Sequence, residues 1–84
     1  MLFDKRRKKP LFGKVVVITG GARGIGLETA RHLKRLGAYV ALGDIDGELA
    51  ANRAATMSGL GGALDVRSRE SFDVFLQKVI KEYG

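Results

Sequence analysis

From Lys14 onward, short apolar runs alternate with longer stretches of helical spacing. Val15, Val16, Val17 and Ile18 form a continuous β-branched run, which suits a strand buried on both faces of a parallel sheet. Residues 19–26 then hold four of the chain's twelve glycines. Ile25, Ala30, Leu33 and Leu36 recur near one face of a first helix, with Glu28, Arg31, Lys34 and Arg35 on the other. Gly37 stands where a helix end takes a left-handed residue. A second strand is expected from about Ala38 to Gly43, closed by Asp44. Asp46 suits the N-cap of a second helix striped by Leu49, Ala50, Ala54 and Met57. Ser58, Gly59, Gly61 and Gly62 break that helix, and a short third strand is expected from about Gly62 to Val66. Ser68 is the expected N-cap of a third helix. Its apolar stripe is Phe72, Phe75, Leu76, Val79, Ile80 and Tyr83, and Gly84 is placed to cap it.

The order is βαβαβα, an α/β pattern that predicts three parallel strands joined by helical crossovers. The pattern covers residues 14–84. Residues 1–13 read as a basic arm, because Lys5, Arg6, Arg7, Lys8 and Lys9 are consecutive and like charges prefer solvent. This locates the net charge of +6: Asp4 through Lys9 carry +4, and everything after Pro10 carries only +2. A length of 84 residues makes at most one small domain and excludes a complete two-domain enzyme. With no Cys and one His, disulfide frameworks and the usual zinc constellations are excluded. The run from Val15 to Ile18 is far short of the ~20 residues of a membrane span. No apolar stretch of a secretory signal follows the basic run, so the expected location is cytoplasmic, with no membrane partner.

The candidate chemistry lies in the glycine turn. Gly20, Gly24 and Gly26 follow the first strand and open the first helix. Backbone N–H groups at a helix N-terminus lack intrahelical partners and sit at the positive end of the helix dipole, so they suit a pyrophosphate. Glycine permits the tight turn, the approach of the phosphates and close helix–strand packing. The spacing is Gly-x-x-x-Gly-x-Gly, a loose triple that gains weight from its strand–turn–helix setting. The bland alternative is a simple tight turn.

Thr19-Gly20-Gly21-Ala22-Arg23-Gly24-Ile25-Gly26 resembles the nucleotide-binding signature of the short-chain dehydrogenases/reductases. The approach Phe12-Gly13-Lys14-Val15-Val16-Val17-Ile18 is also similar to theirs, and the resemblance runs from about residue 12 to the end. It implies the first half of a Rossmann-type, doubly wound NAD(P)-binding domain, with Gly20, Ala22, Arg23, Gly24, Ile25 and Gly26 against the cofactor. Asp44 lies 24 residues after Gly20 and 18 after Gly26. A carboxylate about 20 residues on accepts from the ribose 2′-hydroxyl and repels a 2′-phosphate. With Ile45 next, in place of the Arg of many NADP-preferring relatives, Asp44 favours NAD over NADP. Arg23 pulls the other way, since a base in the glycine turn attracts a 2′-phosphate. At ~4 Å and an effective dielectric of 20, two unit charges interact by roughly 4 kcal/mol, so the carboxylate term is substantial. Asp65 and Val66 resemble the family pair that meets the adenine ring, although a strand-end Asp also serves ordinary turns.

Other residues read as structural. His32 lies among the bases of the first helix, and neither Tyr39 nor Tyr83 starts the family's Tyr-x-x-x-Lys pair. That pair, a Ser and an Asn-Ala-Gly segment belong to later family sequence. The 84-residue chain is therefore expected to be inactive alone, either a fragment or a short product. The resemblance implies hydride transfer between the nicotinamide and an alcohol or carbonyl substrate, and a homo-oligomer at full length. The doubly wound strand order also leaves the first strand as an open apolar edge, which predicts self-association of this stretch by itself. Two rival readings are a non-catalytic NAD-binding module and polyanion binding through the basic arm. Nucleic acid is disfavoured, because no aromatic residues interleave with the bases.

Overall fold

The computed structural model describes residues 9–84. Most of the expected basic arm therefore lies outside the described residues. The chain forms strand β1 (Val15–Thr19), helix α1 (Gly24–Arg35), strand β2 (Tyr39–Asp44), helix α2 (Gly47–Ala55), strand β3 (Leu60–Ala63) and helix α3 (Arg69–Tyr83). The strands make one sheet in the order β1-β2-β3, parallel throughout, with Val15 opposite Tyr39 and Asp44 opposite Ala63. This is the Rossmann-type βαβαβα arrangement.

Strand alternation sends neighbouring side chains to opposite faces. Val40 and Leu42 join Leu27 and Ala30 of α1 and Ala50 and Ala54 of α2 in one core cluster, with Val16 and Ile18 packed against it. Ala41 faces the other way, with Leu64, Phe75 and Val79, and Val17 packs there. The central strand β2 is thus buried on both faces, as its run of Val, Ala, Leu and Gly requires. Residues 9–13 are joined to this body: Leu11 packs against the α1–α2 cluster and its N–H donates to the Leu36 carbonyl at 2.9 Å.

Four expectations change in detail. The β2 strand starts and ends one residue later than expected, because the Ala38 N–H is taken by the Leu33 carbonyl at the end of α1 and sheet pairing begins with the Tyr39 N–H on the Lys14 carbonyl at 2.8 Å. The third strand starts two residues earlier than expected and ends three earlier, at Leu60–Ala63; Gly62 lies in it as expected, and Gly61 is a strand residue and not a helix breaker. The cause is close packing: a Cβ at Gly61 would run into the backbone carbonyl of Ala50, so α2 can sit on β3 only over glycine. Finally, Ile25 is not a core residue. It is 87% exposed, and the buried stripe of α1 is Leu27 and Ala30. Ile80 is likewise exposed, whereas Phe75 and Val79 of the same helix are buried.

The expected caps form. Asp46 accepts from the Leu49 N–H and Ser68 from the Ser71 N–H, and Gly37 follows α1 at φ +105°. Among the described residues no helix is long and apolar enough to cross a membrane.

Candidate cofactor site at the carboxyl edge of the sheet

Parallel strands all point one way, so their C-terminal ends share one edge of the sheet. The glycine turn follows β1 there, Asp44 and Ile45 follow β2, and Asp65 and Val66 follow β3. The sequence separation of these residues disappears in the fold.

The turn itself is tightly built. Gly20 and Gly24 adopt φ of +65° and +61°, and open space lies where their Cβ atoms would point. Gly26 is different: a Cβ there would stand 2.5 Å from the Gly20 carbonyl oxygen. Glycine at 26 lets the first turn of α1 lie directly against the end of β1. The Gly21 N–H donates to the Gly43 carbonyl at 3.2 Å, which ties the turn to β2. Ala22 is fully buried and packs into the α1–α2 core.

The N-terminus of α1 differs from those of the other two helices. Asp46 caps α2 and Ser68 caps α3, with Glu48 and Glu70 in their respective first turns. In α1 the N-cap is Arg23, whose side chain makes no capping bond, and its first turn has no acidic residue. The orphan N–H groups and positive dipole end of α1 thus face the open turn with no capping side chain. This fits an external pyrophosphate, as the glycine pattern implied.

Asp44 is half-buried beside this turn. Its Oδ2 accepts from the Ala22 N–H at 3.2 Å and its Oδ1 from the Asp46 N–H at 3.0 Å. Asp44 therefore joins β2 to the glycine turn as well as standing where the ribose is expected. An ionised carboxylate has about four acceptor positions, so two remain for hydroxyl groups. Arg23 bonds Asp46, Nη2 to Oδ2 at 3.3 Å, across the outside of the same corner.

Asp65 meets a partner that sequence reading missed. Arg67 grips it with a fork, Nε to Oδ1 at 3.0 Å and Nη2 to Oδ2 at 3.1 Å, and adds its backbone N–H to Oδ1. The side-chain hydrogen bonds from Arg67, then its backbone bond, hold the Asp65 carboxyl below the usual carboxylate range. Oδ1 already accepts two of these bonds, whereas Oδ2 accepts one and keeps lone-pair capacity for a further donor. The Asp65 N–H donates to Ser71 Oγ at 2.9 Å, which fixes the loop onto α3. The only advance signal for the Arg67 fork was a base two residues after an Asp.

Three large apolar side chains stand exposed at this edge: Ile25, Ile45 at 70% and Val66 at 59%. Apolar exposure gathered at one edge marks a surface that takes an apolar ligand face. Tyr83 belongs elsewhere. It closes α3, its ring 5.2 Å from that of Tyr39, and burial, with Glu82 adding, pushes its phenol above the ordinary value. That is opposite to what a proton-transferring Tyr at neutral pH needs. Among the described residues no group of three His, Cys, Asp or Glu stands ready to hold a metal ion.

A parallel sheet with a glycine-rich first βα turn and an acidic residue closing the second strand defines the nucleotide-binding half of a Rossmann-type protein. Comparison with known sequences narrows this class. The family model for the short chain dehydrogenases matches residues 14–84, and the chain belongs to that family. It is 40% identical over 81 residues to the short-chain dehydrogenase/reductase ABA4 of Pyricularia oryzae, covering 89% of this chain and 30% of that protein. It is 46% identical over 79 residues to retinol dehydrogenase 12 of Bos taurus, covering 86% and 25% respectively. The probable oxidoreductase EphD of Mycobacterium bovis is 36% identical over 84 residues, covering 93% and 14%. The chain thus spans less than a third of the length of these relatives. The family binds a nicotinamide dinucleotide.

Proposed function

We propose that residues 14–84 hold the adenosine diphosphate half of NAD in an oxidoreductase that moves hydride between the nicotinamide and an alcohol or carbonyl substrate. The observation that carries the reading is the bare N-terminus of α1, uncapped by any side chain while α2 and α3 are capped, set beside the carboxylate of Asp44. The backbone N–H groups of the Gly20–Gly26 turn receive the pyrophosphate. Asp44 accepts from the ribose hydroxyls with its two remaining acceptor positions. Asp65, held by Arg67, accepts from the adenine amino group, and Ile25, Ile45 and Val66 offer apolar contact to the adenosine. The nicotinamide supplies the redox chemistry when bound. NAD is favoured over NADP because the carboxylate of Asp44 repels a 2′-phosphate.

The test is titration of the full-length protein with NAD, NADP and ADP-ribose by calorimetry. NAD is expected to bind more tightly than NADP, and ADP-ribose to bind as well, since the site reads the adenosine side. Asp44→Ala should remove most of the NAD preference. An unchanged NAD to NADP affinity ratio in that variant would show that Asp44 does not read the ribose.

A further inference from the structure

Two opposed charges meet at the corner where the ribose is expected. Arg23 stands at the N-cap of α1 and Asp46 at the N-cap of α2, 23 positions apart in sequence, and their side chains pair at 3.3 Å. Both are linked to Asp44 through adjacent backbone. Ala22, whose N–H holds one oxygen of Asp44, precedes Arg23, and the N–H of Asp46 itself holds the other. The three charged groups form one rim: Asp44 inside, half-buried, and the Arg23–Asp46 pair across the outside, both partners substantially exposed.

We propose that Asp46 is a cofactor-specificity residue, which acts by holding the Arg23 guanidinium away from a 2′-phosphate; the inference rests on the cofactor reading above. Arg23 is the basic side chain of the glycine turn and directly follows Ala22, whose N–H binds Asp44. In the pair its nearest fork nitrogen is committed to Asp46. A 2′-phosphate must then displace a carboxylate from Arg23 and also approach two negative groups, Asp44 and Asp46. A free 2′-hydroxyl does neither. The discrimination against NADP is therefore built from both Asp residues. Asp46 also caps α2 through its other oxygen, Oδ1, so one side chain orders the helix and restrains the Arg.

Asp46→Asn separates these roles, because Asn caps a helix about as well as Asp but carries no charge. The experiment measures NAD and NADP affinities by calorimetry on the full-length protein in four forms: wild type, Asp46→Asn, Arg23→Ala and the double variant. A melting curve for each checks that the fold is intact. In Asp46→Asn the affinity for NADP relative to NAD should rise about three- to tenfold, with NAD binding nearly unchanged. In the Arg23→Ala background the same substitution should give a rise smaller by a factor of roughly two to five, the coupling usual for an exposed pair. An unchanged ratio in Asp46→Asn, or an equal rise with and without Arg23, would overturn the proposal while leaving NAD binding in place. A wild-type protein that binds neither dinucleotide would overturn the cofactor reading itself, and this inference with it.

Discussion

Gly26→Ala asks the most of the glycine turn with the smallest change. The added Cβ would lie 2.5 Å from the Gly20 carbonyl oxygen, 3.1 Å from the Gly20 carbonyl carbon and 3.2 Å from the Gly21 Cα. All three are backbone atoms, so no flexible side chain can swing aside. Real Cβ contacts essentially never fall under 3.0 Å, so turn and helix must part by several tenths of an ångström. Overpacking of this kind costs about 1–3 kcal/mol. Alanine in a helix recovers up to about 1 kcal/mol over glycine, which leaves a net loss of up to about 2 kcal/mol. The displacement also pulls the turn away from Asp44, whose bond from the Ala22 N–H is already 3.2 Å long. A hydrogen bond to a charged group contributes about 1.5–3 kcal/mol, so weakening this one adds to the destabilisation, and the displaced turn should bind NAD more weakly. Urea denaturation and calorimetric titration of the full-length protein measure the two effects. A Gly26→Ala protein with wild-type midpoint and wild-type NAD affinity would refute the close-approach argument.

Two further predictions concern the same edge and the sheet behind it. Arg67→Ala should raise the Asp65 carboxyl part of the way to its ordinary value, since the backbone bond from residue 67 survives. The folded value lies below the unfolded one, so the stabilisation from Arg67 is full above pH ~4 and disappears as pH falls through the lower folded value. Carboxyl carbon NMR across acid pH reads this directly, and an identical Asp65 titration in both proteins would refute it. Gly61→Ala and Gly62→Ala form a contrasting pair on β3. At 61 the new Cβ meets the Ala50 backbone, whereas at 62 it meets Phe75 at an ordinary 3.7 Å. The first should destabilise by about 2 kcal/mol or more and the second by less than ~0.5 kcal/mol in urea denaturation; equal effects would show that α2 does not depend on the glycine at 61.

Much of the fold was legible along the chain because its signals are local. The β-branched run from Val15, the caps at Asp46 and Ser68 and the stripe containing Phe75 and Val79 each depend on spacing within one element. The errors fell where a neighbouring element decided the outcome. Gly61 looks like a helix breaker until α2 is seen resting on it. Ile25 fits the apolar spacing of α1, but it lies in the first turn, beyond the sheet, where nothing covers it. The site shows the same division. The glycines and Asp44 were readable because their spacing encodes a βαβ unit. The roles of Asp46 and Arg67 as ion-pair partners were not.

The alternation of strand and helix, the parallel class of the sheet and the glycine turn that belongs to the short chain dehydrogenase family follow from the order of residues along the chain. Hydrophobic period, capping residues and the need for glycine near a backbone are properties of a few neighbouring residues, and these survive in one dimension. What Asp44 holds, and which carboxylate Arg23 and Arg67 each take, is set by the packed arrangement of the elements. The same packing leaves Ile25, Ile45 and Val66 exposed at one edge. Charge and hydrogen-bond partners depend on distances of a few ångströms between residues far apart in the chain, and parallel pairing of the three strands sets those distances.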